Sequence, residues 1–285
     1  MLEVDAICPL FNADKYIDRL IFNFQNQKNI VIHPVFPITR TENTESIINK
    51  IKAAGYTYFF VEPNEFSHSL TREKAMKEYC TRDLVLFLSQ DVNMYKDDAA
   101  YELASVVNDD IVYAFGKQVC KKKTIEYYTR KKNYGDVSYI DCKDDVSKHQ
   151  LLTFFGSDAF AVYNRKVFLK LNGYDNINMM MSEDMYYVKK ILDAGYKKAY
   201  VATAIVEHYH TFTLKQIYNR YYETGKWFKQ HPEFDVYKTN DSGMKLAFYV
   251  LGQAFKDFNI PVIFKWLPNM SARWFGMRKG KKIIK

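Results

Sequence analysis

The chain lacks the marks of several protein classes. Its four cysteines, Cys8, Cys80, Cys120 and Cys142, are scattered and form no CxxC pair. That spacing argues against a zinc site or a disulfide framework and for free thiols in a reducing compartment. No apolar run approaches the roughly 18 residues of a membrane span. Glu3 and Asp5 come early, so the N-terminus has no signal-peptide pattern. These absences suggest a cytoplasmic protein. There is no internal repeat or low-complexity linker, which excludes a solenoid or array. No RNA-recognition sheet motif or helix-turn-helix is present.

What is present suits a globular protein. A length of 285 residues can bury one large core, or one core with an appendage. Hydrophobic residues make up an ordinary 48%. Aromatics are abundant at 16%, with Tyr 23 and Phe 21, which fits an aromatic-rich core and also a cleft lined with rings. The formal net charge of +8 favours anionic partners: nucleotides, nucleic acid or acidic lipid.

The stretch Leu84-Val85-Leu86-Phe87-Leu88-Ser89-Gln90-Asp91 organises the chain. Its apolar run reads as a strand buried on both faces, ending in a lone carboxylate. In open α/β sheets ligands bind at the carboxyl end of such strands. Strands are expected at 2–8, 29–36, 56–61, 84–88, 111–116 and 198–206. Helices are expected at 14–25, 44–54, 69–79, 97–107 and 165–171. This alternation predicts a parallel sheet with helices on both faces. Residues 117–150 are polar and weakly periodic, and read as a long loop with short structure, placed over the site. Ser182 reads as the N-cap of a helix that Gly195 ends. From Leu214 onward the pattern is helical, with breaks near Pro232, Pro261 and Pro268.

Four clusters could carry chemistry. Asp91 could ligate a divalent cation that grips a diphosphate, or merely cap a turn. Glu183 and Asp184 suit a helix's first turn electrostatically, but follow a Met-rich loop, Met179-Met180-Met181, that could line a pocket. A carboxylate there could take a proton from an attacking hydroxyl. His208 and His210 alternate along a strand, so both point to one side, and an imidazole could complete a metal shell around Asp91. Arg72, in a helix's first turns, matches phosphate or carboxylate, or is an exposed helical arginine.

In order, the motifs Pro9…Asn12, Phe66-x-His68-x-x-Thr71-Arg72, Phe87-Leu88-Ser89-Gln90-Asp91, Asn172-Gly173-Tyr174-Asp175, Glu183-Asp184, Gly195-Tyr196-Lys197 and His208-Tyr209-His210 resemble those of family 2 glycosyltransferases of the GT-A fold. More narrowly, they resemble bacterial rhamnosyltransferases that build cell-surface polysaccharides. The resemblance covers roughly residues 2 to 230. It implies a Rossmann-like, mostly parallel α/β sheet in a catalytic domain over residues 1–213. A C-terminal helical region over residues 214–285 would extend it.

The resemblance also implies roles. Pro9, Leu10 and Asn12 would lie under the nucleotide base and ribose, with Gln90 and Asp91 beside the donor. Arg72 would contact the donor's phosphate or sugar. Asp91, with His208 or His210, would hold Mn2+ or Mg2+. Asp184 would be the catalytic base, with Glu183 beside it, and Gly156, Ser157 and Asp158 would meet the acceptor. The donor would be a nucleotide sugar such as dTDP-rhamnose. The acceptor would be a polysaccharide or lipid-linked glycan, and the transfer would invert configuration. The DxD motif is reduced here to Ser89-Gln90-Asp91. The base-reading loop, Pro37-Ile38-Thr39-Arg40-Thr41-Glu42, has no aspartate.

The segment Ala272-Arg273-Trp274-Phe275-Gly276-Met277-Arg278-Lys279-Gly280 is similar to the last helix of many such enzymes. Arg273, Arg278, Lys279, Lys281, Lys282 and Lys285, interleaved with Trp266, Leu267, Trp274, Phe275 and Met277, suit an anionic membrane surface. They equally suit a solvated basic end packed by its aromatics. The resulting expectation is a cytoplasmic enzyme peripheral on the inner face of the membrane; a homodimer is compatible with it. The alternatives are a hexose or N-acetylhexosamine donor on the same fold, a non-catalytic nucleic-acid-binding protein, and a catalytically dead scaffold.

Overall fold

The computed structural model describes residues 1–41, 44–237 and 240–282. Glu42 of the base-reading loop and Lys285 of the tail lie outside them. The chain runs β1 (Leu2–Ile7), α1 (Asp14–Gln25), β2 (Ile30–Thr39), α2 (Thr44–Ala53), β3 (Thr57–Val61), α3 (His68–Glu78), β4 (Leu84–Leu88) and α4 (Ala99–Ala104). It continues through β5 (Ile111–Val119), α5 (Ile125–Asn133), β6 (Tyr139–Asp141), α6 (Val146–His149), β7 (Phe160–Asn164), α7 (Arg165–Lys170), α8 (Glu183–Asp193) and β8 (Lys197–Glu207). Three longer helices follow: α9 (Leu214–Gln230), α10 (Asn240–Lys256) and α11 (Ile260–Lys281).

The strands form one sheet in the order β3-β2-β1-β4-β7-β5-β8-β6. β1 through β4 pair in parallel, as do β5 and β8, while β7 runs antiparallel between β4 and β5. β4 alternates its apolar residues between two cores. Leu86 and Leu88 join one cluster, Val85 and Phe87 the other. The helices therefore cover both faces, because a strand apolar on both sides must be sandwiched. The chain leaves β1 toward β2 and β3, then returns to β4 on β1's other side. The crevice beyond the carboxyl ends of β1 and β4 is thus the sheet's switch point, where α/β folds bind ligands.

Several local expectations are corrected. Residues 117–150 hold more structure than a long loop with short pieces: β5 runs on to Val119, and α5, β6 and α6 follow. Polar residues hid them, because Gln118 and Arg130 are buried as a hydrogen-bonded pair rather than exposed. The helix expected over 97–107 is confined to Ala99–Ala104. Ser182 precedes α8 but sits at φ 63° and makes no capping bond; Asp184 instead accepts from the Met185 N–H.

Pro268 does not break the last helix, which passes through it. A proline inside a helix costs about 3 kcal/mol, and close packing against α9 offsets it. A Cβ on Gly276 would lie 2.4 Å from the Tyr218 carbonyl oxygen, and one on Gly280 2.1 Å from that of Tyr222. Only glycine lets the two backbones meet that closely. Trp227, Phe228 and Phe234 join the same core as β4 and α8, so the region after residue 213 is packed onto the sheet. No helix among the described residues is long and apolar enough to cross a membrane.

Candidate active site

A cavity of about 630 Å3 opens at the switch point, and Asp91 and Asp184 both line it. Its floor comes from the two strand ends. Pro9, Leu10 and Phe11 follow β1, and Ser89, Gln90 and Asp91 follow β4. Gln90 ties these loops together, accepting from the Phe11 N–H at 2.8 Å and donating to the Phe11 carbonyl at 2.9 Å.

At one pole stand Asp91, His208 and His210, whose ligating atoms all lie within 4.8 Å of one another. The histidines leave the end of β8 on one side, as their alternation requires. His210 Nδ1 is 2.9 Å from Asp91 Oδ2, and His208 Nε2 is 3.3 Å from Oδ1. Burial favours the neutral acid at Asp91, but the two imidazoles outweigh it and hold the carboxyl well below the usual carboxylate range. Burial pushes His208 down to about 4, so its ring is neutral near pH 7. His208 Nδ1 lies 2.8 Å from Gln118 Oε1, while its buried Nε2 has no hydrogen-bond partner. A buried ring nitrogen without a partner, facing a carboxylate, is what a bound cation would satisfy. The donor set therefore fits a divalent ion.

The other pole is acidic and buried. Arg72 donates to Glu183 at 2.5 Å and lies 3.8 Å from Asp158. Asp158 also accepts from the Tyr163 hydroxyl at 2.5 Å and the Tyr174 hydroxyl at 2.9 Å. Burial and the neighbouring Glu183 charge push Asp158 up to about 6 against the pull of Arg72. Asp184 has no arginine in contact among the described residues. Burial first, then the charges of Glu183 and Asp158, raise its carboxyl well above the ordinary value. A raised carboxyl with no guanidinium on it is suited to accept a proton, whereas Glu183 is engaged by Arg72.

The sequence-predicted residues are placed as follows. Pro9, Leu10, Arg72, Gln90, Asp91, Ser157, Asp158, Glu183, Asp184, His208 and His210 line the one cavity, as do Met180 and Met181. Asn12 is exposed at φ 48° and does not line it. Gly156 does not line it either; it packs on Tyr113, where a Cβ would sit 2.6 Å from the hydroxyl. Three lining or supporting residues had no sequence signal. Arg220 reaches the cavity from α9 and lies over the Phe212 ring. Gln118 and Arg130 stand behind His208.

No family model matches the chain. The O-antigen chain rhamnosyltransferase WbaN of Salmonella anatum is 34% identical over 81% of this chain and 74% of its own length. The O-antigen chain rhamnosyltransferase RfbN of Salmonella typhimurium is 29% identical over 79% of this chain and 72% of its own. In fold the chain is similar to the mannosyltransferase PcManGT of Pyrobaculum calidifontis, solved with GDP-Man and Mn2+. The TM-score is 0.63 at 13% identity, over 97% of this chain and 86% of that one. It is also similar to S. aureus TarS 1-349, solved with UDP-GlcNAc, with a TM-score of 0.57 at 13% identity over 80% of this chain and 66% of that one. Sequence, sheet order and cavity agree: the chain belongs to the family of the O-antigen chain rhamnosyltransferases, glycosyltransferases built on the GT-A fold.

Proposed function

We propose that the protein is an inverting, metal-dependent transferase that moves L-rhamnose from dTDP-rhamnose onto a cell-surface glycan or its lipid-linked precursor. One observation carries this reading: Asp91 and Asp184 line one cavity while their acidities are driven apart. The rhamnosyl group is supported by the two curated relatives, both named as O-antigen chain rhamnosyltransferases.

Asp91, His208 and His210 would hold the cation, which supplies positive charge to the departing diphosphate. One carboxylate with two imidazoles suits Mn2+ better than the all-oxygen preference of Mg2+. Asp184 takes the proton of the acceptor hydroxyl as that oxygen attacks the anomeric carbon. The bond from that carbon to the diphosphate oxygen breaks, and its electron pair leaves with the nucleoside diphosphate. Attack from the opposite face inverts configuration, so no protein nucleophile is needed. Glu183, engaged by Arg72, fixes the start of α8 rather than competing for the proton. Pro9 and Leu10 are assigned to the nucleoside, and Gln90 holds the loop that carries them. Ser157 offers a hydroxyl to the acceptor. Residues 1–213 carry these groups, and residues 214–285 add Arg220 and an outer apolar face. That face would rest on the anionic inner surface of the membrane.

Calorimetry with a panel of sugar nucleotides, with and without Mn2+, tests the donor. Tight binding of dTDP-rhamnose only with Mn2+ is expected, and selective binding of a UDP- or GDP-hexose would replace the rhamnosyl assignment. Proton NMR of the transferred anomeric centre tests inversion; retained configuration would overturn the single-displacement mechanism.

A further inference from the structure

We infer that Gln118, locked in orientation by Arg130, is a positioning residue that holds His208 as its Nδ1–H tautomer and so presents the Nε2 lone pair at the cation site. The register of the sheet places these groups. β5 pairs with β8 so that Gln118 stands opposite Val206 and Val119 opposite Glu207. The His208 N–H then donates to the Val119 carbonyl at 3.0 Å. This brings the Gln118 amide behind the imidazole, away from Asp91.

A glutamine beside a histidine leaves the tautomer open, because the amide can offer either its oxygen or its NH2. Here the second neighbour decides. Arg130 Nη1 donates to the same Gln118 Oε1 that lies 2.8 Å from His208 Nδ1. Arginine has no acceptor and stays charged. Turning the amide over would set the NH2 against the guanidinium, donor against donor. Gln118 is 2% exposed and Arg130 8% exposed, so water is not free to compensate. The amide nitrogen has its own acceptor in the correct orientation, Ser157 Oγ at 2.7 Å. Oxygen therefore faces His208, the Nδ1 carries a proton, and Nε2 is the nitrogen turned to the cation site. That nitrogen is 3.3 Å from Asp91 Oδ1 without hydrogen-bond geometry. A ring held by its Nδ1–H in this way offers Nε2 to a cation without turning over, and outer partners of this kind typically set metal affinity by 10- to 100-fold.

The inference rests on reading Asp91, His208 and His210 as a cation site, and the tests separate the two. Long-range proton–nitrogen NMR on the metal-free, histidine-labelled chain reads the tautomer directly, with His208→Gln giving the assignment. An Nδ1–H pattern is expected for His208, and an Nε2–H pattern overturns the inference. Uptake of Mn2+ alone, followed by loss of the free-ion electron paramagnetic resonance signal, reads the consequence. Gln118→Leu is expected to weaken uptake by about 10- to 100-fold. Gln118→Glu, which accepts from both His208 and Arg130, is expected to retain it. Equal uptake by wild type and Gln118→Leu overturns the inference alone. A wild-type chain that takes up no Mn2+ overturns the cation site beneath it.

Discussion

Asp91 and Asp184 are the same residue type on the walls of one cavity, yet their surroundings act in opposite directions. At Asp91, burial raises the pKa, but His208 and His210 outweigh it and the carboxylate stays ionised. At Asp184, burial is joined by two carboxylates, Glu183 and Asp158, and the pKa rises. The nearest guanidinium, Arg72, is already engaged by those two neighbours. One pole is thus prepared to hold positive charge and the other to accept a proton. Separated acidities in a shared site are how two carboxyl groups come to divide the work of a reaction.

The comparison breaks if the two aspartates fail in the same way. Asp184→Asn is expected to lower turnover of the sugar nucleotide by about 10²- to 10⁴-fold, the usual range for losing a general base. Donor binding measured by calorimetry should be unchanged, since nothing at the Asp91 pole is touched. Asp91→Ala should do the reverse: nucleoside diphosphate binding should lose its dependence on Mn2+. An Asp184→Asn variant that also loses Mn2+-dependent binding would merge the two poles into one.

Arg72 sharpens the contrast through stability. It is buried with Asp158 and Glu183, so Arg72→Met strands two buried carboxylates. Removing one partner of a buried ion pair typically costs about 3–5 kcal/mol, read as a lowered midpoint in urea. Little change would show that the tyrosines around Asp158 suffice to hold it.

The acidities give a pH test with a fixed sign. A general base works only when unprotonated, so turnover should fall as pH drops through the raised pKa of Asp184, above the 3.8 of an ordinary aspartate. Glu183→Gln removes one of the charges that raise it and should move this acid limb to lower pH. Stability runs the other way. Asp158, raised to about 6, binds its proton more tightly in the folded chain than in the unfolded chain. Its contribution is full below 3.8 and is lost as pH rises through about 6. An acid limb that ignores Glu183→Gln would assign the proton transfer elsewhere.

Much of this was legible in sequence, and the exceptions share a cause. β4 and Asp91 could be read because an apolar run ending in a carboxylate has a simple geometry. His208 and His210 could be read because alternation along a strand puts both on one face. Gln118 and Arg130 could not, because a buried polar pair looks like surface until its partner is known. Ser182 and Pro268 misled for a related reason. Local propensity predicts a cap and a break, but the α8 carboxylates and the glycine-mediated contact of α11 with α9 decide otherwise. The tail's basic residues also find acids: Arg273 reaches Glu126 and Lys281 pairs with Asp235. Those acids come from elsewhere in the chain, beyond what spacing within the tail can show.

The same contrast runs across α11. Its inner face is locked to α9 through Gly276 and Gly280. Its outer face leaves Phe264, Leu267, Trp274 and Phe275 exposed, with Phe248, Phe255 and Phe258 from the neighbouring hairpin. Arg278 lies over Trp274, and Lys279 is exposed beside them. Exposed aromatics next to basic residues are suited to an anionic lipid surface. Deleting residues 271–285 would strip the packed face along with the exposed one, so point changes are the cleaner probe. Phe264→Ser with Trp274→Ser should release the chain from phosphatidylglycerol vesicles in a sedimentation assay. Lys279→Gln should weaken binding only about fivefold, since a basic residue near such a surface contributes about 1 kcal/mol. Both effects should be absent with neutral phosphatidylcholine vesicles. Binding unaffected by any of these changes would leave the outer face of α11 a solvated surface, and the membrane would drop out as a partner.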